Sequence, residues 1–178
     1  MKRRLTTSAK KRITDEWGRE FRSLSNYKPM WLMRRSGLLI QGICLDRDSG
    51  NDNYLPTFHL HNLGGLNTDF ISLTLRTPLR TERTNVPDRI TWADHEERFP
   101  EILKRFRTQS PLKFEGNLSC DAVIFAYKNH IINGNAEAAY PLNLFYDMVC
   151  IYIWCNRFDE AHQFFGLDFG KNPLTVRT

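Results

Sequence analysis

The spacing of apolar positions changes twice along the chain and divides it into three parts. Ile13, Trp17, Phe21 and Leu24 recur at intervals of four, four and three, one stripe of a helix that Thr7 or Ser8 can cap. Lys10, Lys11, Arg12, Arg19 and Arg22 fall off that stripe. The pattern therefore predicts a helix that lies on a sheet by its Trp/Phe side and turns a basic face to water. Pro29 bars any longer helix.

From Met30 to Arg76 the period is two. Met30 to Arg34 and Leu38 to Leu45 are strand-like runs joined by Arg35-Ser36-Gly37, with a glycine where the turn calls for positive φ. In Tyr54 to Asn62, Phe58 and Leu60 alternate with Thr57, His59 and His61, and Phe70 to Arg76 places Ile71, Leu73 and Leu75 on one face. Four strands with short links predict an antiparallel meander, one face covered and the other partly wet. His59, His61 and Arg76 go to the wet face.

Residues 77–89 contain two prolines and no period, and read as a connector carrying Arg80 and Arg83. The remainder reads as helical. Thr91 and Asp94 have capping-box spacing ahead of a face made by Trp92, Glu96, Phe99, Leu103 and Phe106, in which Pro100 is expected to kink or restart the helix. Ser119 caps a helix through Val123, Ala126, Tyr127 and His130 that Asn133-Gly134-Asn135 ends. Pro141 opens a helix to Asn156 that is apolar nearly all round, and Arg157 to Phe165 forms a last short one stopped by Gly166. The fold class is α+β: an N-terminal helix packed on a four-stranded antiparallel sheet, then an α-helical C-terminal half, all in one domain over 1–178.

Composition narrows the class. With 41% hydrophobic residues, 12 Phe, 6 Tyr and 4 Trp, the chain has the bulky core material that disordered chains lack. Its longest apolar run, Met148 to Cys155, falls well short of the roughly 18 to 20 residues that cross a bilayer. Residues 1–35 hold 11 Lys/Arg against 3 Asp/Glu, an excess of +8, whereas the whole chain carries +5. The charge is thus a basic N-terminal segment on a slightly acidic body. Thr6 to Arg12 cannot serve as the apolar region of a signal peptide. The four cysteines form no CxxC, so they are expected to be reduced and mostly buried, in a cytoplasmic protein.

Candidate chemistry has a plain structural counterpart at each position. Asp46, Asp48 and Asp52 supply oxygen ligands of the kind Ca²⁺ prefers, but Thr57 stands where an EF-hand needs its bidentate Glu, and a solvated hairpin loop explains them. His59 and His61, two apart on a strand, point the same way and offer the start of a metal-dependent hydrolase. Their third ligand would come from His95, Glu96 or Glu97, which lack HExxH spacing, and surface histidines on a wet sheet face account for the pair. His130 and His162 read as core-edge residues. No GxSxG, GxxxxGK or GxGxxG is present, and Glu96, Glu97 and Glu101 read as the solvated side of a helix. No cofactor and no metal are implied. The basic patch of Lys10, Lys11, Arg12, Arg19 and Arg22 can attract phosphates, but its helix turns its aromatics inward. Docking of an acidic protein surface is therefore preferred over nucleic-acid binding.

Leu39-Ile-Gln-Gly-Ile-Cys-Leu and Tyr54-Leu-Pro-Thr-Phe-His-Leu-His-Asn-Leu, set in a sheet behind a capped amphipathic helix, carry a resemblance over residues 8–76. In this layout the chain resembles small bacterial α+β immunity proteins of contact-dependent inhibition and other polymorphic toxin systems. The resemblance implies a non-enzymatic protein that binds one toxin domain and blocks it. Immunity proteins against nucleases are commonly acidic, and this chain departs from that pattern. On this reading His59, His61, Arg76, Arg80 and Arg83 are the expected partner-binding residues, on the wet sheet face and its adjoining loop.

Overall fold

Helix α1 (Thr7–Glu20) forms where the apolar stripe places it, but its cap is Thr6, whose hydroxyl accepts from the Ala9 amide at 3.1 Å. The computed structural model describes residues 5–47, 52–65, 71, 75–132 and 141–166. Ile13, Trp17 and Phe21 are fully buried. Thr14 is buried among them, donating to the Lys10 carbonyl (2.7 Å) and accepting from the Met30 amide (2.8 Å). It thereby fixes the helix to the turn where Met30 adopts a φ of 73°.

The sheet is an antiparallel meander in the order β1 (Ser25–Lys28), β2 (Trp31–Ser36), β3 (Leu39–Asp46), β4 (Asn53–Asn62) and β5 (Leu75–Pro78), with β6 (Ile90–Thr91) paired to the start of β4. It has two more strands than the four expected. β1 escaped notice because all four of its residues are exposed and show no alternation, and β6 is only two residues long. Strand β5 begins later than the expected Phe70, which lies with Ser72, Leu73 and Thr74 outside the described residues. Gly37 turns the β2–β3 hairpin with a φ of 59°.

Strand parity sorts the sheet into two faces. Leu32, Ile43, Tyr54 and Phe58 share the face that receives α1 and α2 (His95–Gln109), where aromatic rings interlock. Trp17 meets Phe106 edge-on at 5.2 Å, Phe21 meets Phe114 at 4.7 Å, and Phe114 reaches Phe58 at 5.6 Å. Pro100 lies in the second turn of α2 without breaking it. There it deprives only the Glu96 carbonyl of a donor, so the helix does not restart.

Helices α3 (Cys120–Ile132), α4 (Pro141–Trp154) and α5 (Phe158–Gly166) form the C-terminal half. Ser119 caps α3 through the Ala122 amide at 3.2 Å, as its position predicts. The helical half is fastened to the end of the sheet at Asp147, whose carbonyl accepts from Asn62 (3.4 Å) and whose carboxylate accepts from Tyr127 (3.3 Å). The Gly64-Gly65 turn lies against this site, and a side chain on Gly65 would collide with the Asp147 carboxylate. Cys120 and Cys155 are joined in a disulfide across 35 residues, while Cys44 and Cys150 are free thiols. Two of the four cysteines are therefore oxidised, contrary to the reading from their spacing. The pairing of α3 with α4 brings the two together, and no short motif announces it. Among the described residues no helix is long and apolar enough to cross a membrane.

Candidate functional site

Strand β4 lies between β3 on one side and β5 and β6 on the other, and from Tyr54 onward it is buried on both faces. His59 and His61 do share the face opposite α1, but that face is not wet at these positions: His59 is 0% exposed and His61 3%. Burial removes both imidazoles as docking anchors, so the expectation of surface histidines is corrected. The cover includes Trp31, whose ring centroid lies 5.4 Å from that of His59. The space beneath comes from Gly42, the cross-strand partner of His59, where any Cβ would strike the Leu32 carbonyl and the imidazole itself.

Among the described residues neither ring nitrogen of His59 has a hydrogen-bond partner. Burial pushes its pKa down to about 4, opposed by the Asp46 carboxylate and reinforced by His61. Because the folded value lies below the unfolded one, the unfolded chain holds the extra proton between about pH 6.5 and about pH 4. Stability contributed by the uncharged ring is complete above that window and lost as pH falls through it. Denaturant midpoints compared at about pH 7.5 and about pH 4.5 should show a loss of about 2 to 3 kcal/mol that His59→Leu abolishes. An unchanged acid response in the variant would assign the loss to other groups.

The three arginines expected beside the histidines are dispersed. Arg76 pairs with Asp46 at 2.5 Å, and that carboxylate also accepts from Cys44 (3.0 Å) and Thr57 (3.3 Å). Asp46 is thus committed to the sheet, while Asp48 and Gly50 of the candidate cation loop lie outside the described residues. Arg80 is clasped by Gln109, which bonds its amide at 2.8 Å and its carbonyl at 2.9 Å, and its guanidinium donates to the Asn85 carbonyl. Arg83 is exposed at the following turn. The supposed connector is a docked hairpin, closed by an Arg80–Pro87 bridge and by Asp88, which takes two hydrogen bonds from Arg98 (2.9 and 3.0 Å) and another from Arg105. His130 is half-buried at the core edge, as expected, whereas His162 is exposed.

On α1, Lys11, Arg12 and Arg19 face solvent and Lys10 is half-buried, while Arg22 is exposed in the turn that follows the helix. Part of this charge is already matched. Arg12 is bonded to Glu16 (2.9 Å) and to Glu96, and lies 5.3 Å over the Trp92 ring. At the far end of the helix pair Arg107 bonds Glu20 at 3.1 Å, on the rim of a groove of about 540 Å³ over Phe99, Pro100 and Leu103.

Beneath Arg12 runs a polar chain that no sequence motif signals, because its members are far apart in the chain. His95 Nε2 lies 2.5 Å from Glu16 Oε2, His95 Nδ1 2.6 Å from the Tyr54 hydroxyl, and Trp17 Nε1 3.5 Å from the same hydroxyl. Assigned from this pattern, Trp17 donates to Tyr54, Tyr54 donates to His95, and His95 donates to Glu16. Burial raises the Glu16 pKa, but the bonds from Arg12 and His95 outweigh it and hold the carboxylate below its ordinary range. Burial pushes the Tyr54 hydroxyl well above its usual value. Tyr54 and His95 are both 0% exposed, so the chain ties α1, β4 and α2 together and reaches solvent only through the half-buried Glu16.

The surface does present large apolar side chains. Phe125 is 65% exposed on α3, Phe158 60% on α5, and Tyr146 and Ile153 41% and 48% on α4. The sequence reading overlooked them because α4 is apolar nearly all round and α3 has no single apolar stripe, which disguises the exposed members. Among the described residues no three His, Cys, Asp or Glu side chains come together to hold a metal ion. Comparison with family models, with curated proteins and with solved structures finds no match to this chain.

Proposed function

We propose that this chain is a non-enzymatic binding protein that neutralises a cognate toxin domain by direct contact, using the surface of its helical half. The observation that carries the reading is the concentration of exposed apolar side chains on α3, α4 and α5: Phe125, Ile131, Tyr146, Ile153 and Phe158. Aromatic anchors of this kind dominate binding energy when a partner desolvates them. Lys128, Asp121 and Glu160 on the same helices, with Arg157 in the turn between α4 and α5, suit a polar rim. Unmatched cations of α1 would speed the encounter with an acidic partner surface without adding much affinity. A cytoplasmic site of action belongs to the same proposal, although the Cys120–Cys155 disulfide weighs against a strongly reducing compartment.

Growth rescue tests the reading. Cells expressing candidate toxin domains, beginning with those encoded beside this chain, should recover when the chain is co-expressed. Recovery should fail with Phe125→Asp and Phe158→Asp combined, at unchanged protein level. Rescue that survives the double substitution would remove α3–α5 as the contact surface, and absence of rescue by the native chain would remove the toxin.

A further inference from the structure

The sheet face opposite α1 ends at the β1–β2 edge in a cluster that the proposed function does not use. Ser25 and Asn26 pair in register with Met33 and Leu32, but the register shifts before Lys28 pairs with Trp31. Tyr27 is the extra residue of this bulge. Bulges at sheet edges re-aim side chains, and Tyr27 is 60% exposed. The Lys28 ammonium lies 4.5 Å from the Trp31 ring centroid and 5.8 Å from that of Tyr27, between two aromatic surfaces. Trp31 is held from below by His59. Four residues further along β2, on the same face and about 13 Å away, Arg35 is exposed and anchored by its Nε to the Gly37 carbonyl at 3.0 Å.

Charge matching alone does not single out this cluster, because Lys10, Lys11 and Arg19 of α1 meet no carboxylate among the described residues either; what sets it apart is the aromatic surface beside its cations. Arg12, Arg76, Arg98, Arg105, Arg107 and Arg157 each meet a carboxylate. Lys28 and Arg35 meet none among the described residues. We propose that Tyr27, Lys28, Trp31 and Arg35 form a binding site for single-stranded nucleic acid. A base stacks on the exposed Tyr27 ring, and phosphates meet Arg35 and Lys28, which is seated over Trp31. Stacking on aromatic faces beside a cationic track is how sequence-tolerant single-strand binding is built. The site requires an exposed aromatic ring beside unmatched charge, which α1 lacks and Tyr27 supplies here. It lies apart from α3–α5 and stands or falls independently of the toxin reading.

Fluorescence anisotropy of a labelled oligo(dT) of about 12 nucleotides, and of its duplex with oligo(dA), tests the site. The native chain should bind the single strand at least about tenfold more tightly than the duplex, whose bases are not free to stack. Tyr27→Ala should weaken single-strand binding about tenfold. Lys28→Ala with Arg35→Ala should lower the salt slope by about 1.4, the share of two phosphate contacts to a single strand. Circular dichroism establishes that each variant is folded. No saturable binding at about 50 mM salt overturns the proposal. So does equal affinity for strand and duplex with no effect of Tyr27→Ala, which is the signature of charge attraction alone.

Discussion

His95→Leu should lower the unfolding free energy by about 4 kcal/mol, among the largest losses expected of any single substitution away from the aromatic core. The imidazole is fully buried and sits between the Tyr54 hydroxyl and the Glu16 carboxylate. Leucine fills similar space but leaves a buried hydroxyl without its acceptor and a mostly buried carboxylate with Arg12 as its one remaining side-chain donor. Each stranded group costs about 1 to 3 kcal/mol, the charged one more. Adding Tyr54→Phe to His95→Leu removes the stranded hydroxyl and should restore about 1 to 2 kcal/mol, a non-additivity that simple cavity formation does not produce. Urea unfolding of the two single variants and the double measures this directly. A loss below about 1 kcal/mol for His95→Leu, or strict additivity, would mean that the relay does not hold the three elements together.

Reduction of the Cys120–Cys155 disulfide should cost about 3 to 4 kcal/mol, the loop-closure value for a separation of 35 residues. The bond ties the first residue of α3 to the residue after α4, beside the Arg157–Asp121 ion pair. Its loss should therefore fall on the helical half. Cys120→Ser with Cys155→Ser should lower the denaturant midpoint as reduction does, and amide exchange should accelerate in α3–α5 while β2–β4 stay protected. An identical midpoint with and without a thiol reductant would show that the bond contributes nothing to stability.

Local signals in this chain were legible and long-range ones were not. The stripe Ile13–Trp17–Phe21 and the Gly37 hairpin depend on neighbours within a few residues, and both stand as read. The period of β4 correctly put His59 and His61 on one face. Whether that face was covered depended on β3, on Trp31 and on the space left by Gly42, none of which the period of β4 contains. The same limit hid the relay, whose residues Glu16, Tyr54 and His95 belong to three different elements, and the disulfide. The exposed aromatics were lost because α4 is apolar nearly all round and the apolar residues of α3 form no single stripe. β1 was hidden for the opposite reason, since Ser25 to Lys28 bury nothing and owe their place to pairing with β2.

These corrections move the candidate surface from the middle of the sheet to the helices. Buried His59 shapes stability and its pH dependence, whereas Phe125 and Phe158 meet solvent. Isothermal titration of the proposed partner, a toxin domain whose growth arrest the chain relieves, into the native chain and into Phe125→Ala with Phe158→Ala tests that assignment most directly. The account predicts saturable binding by the native chain and a dissociation constant at least about a hundredfold weaker in the variant, roughly 2.7 kcal/mol, with the thermal midpoint unchanged. Equal affinity of the two proteins would contradict it.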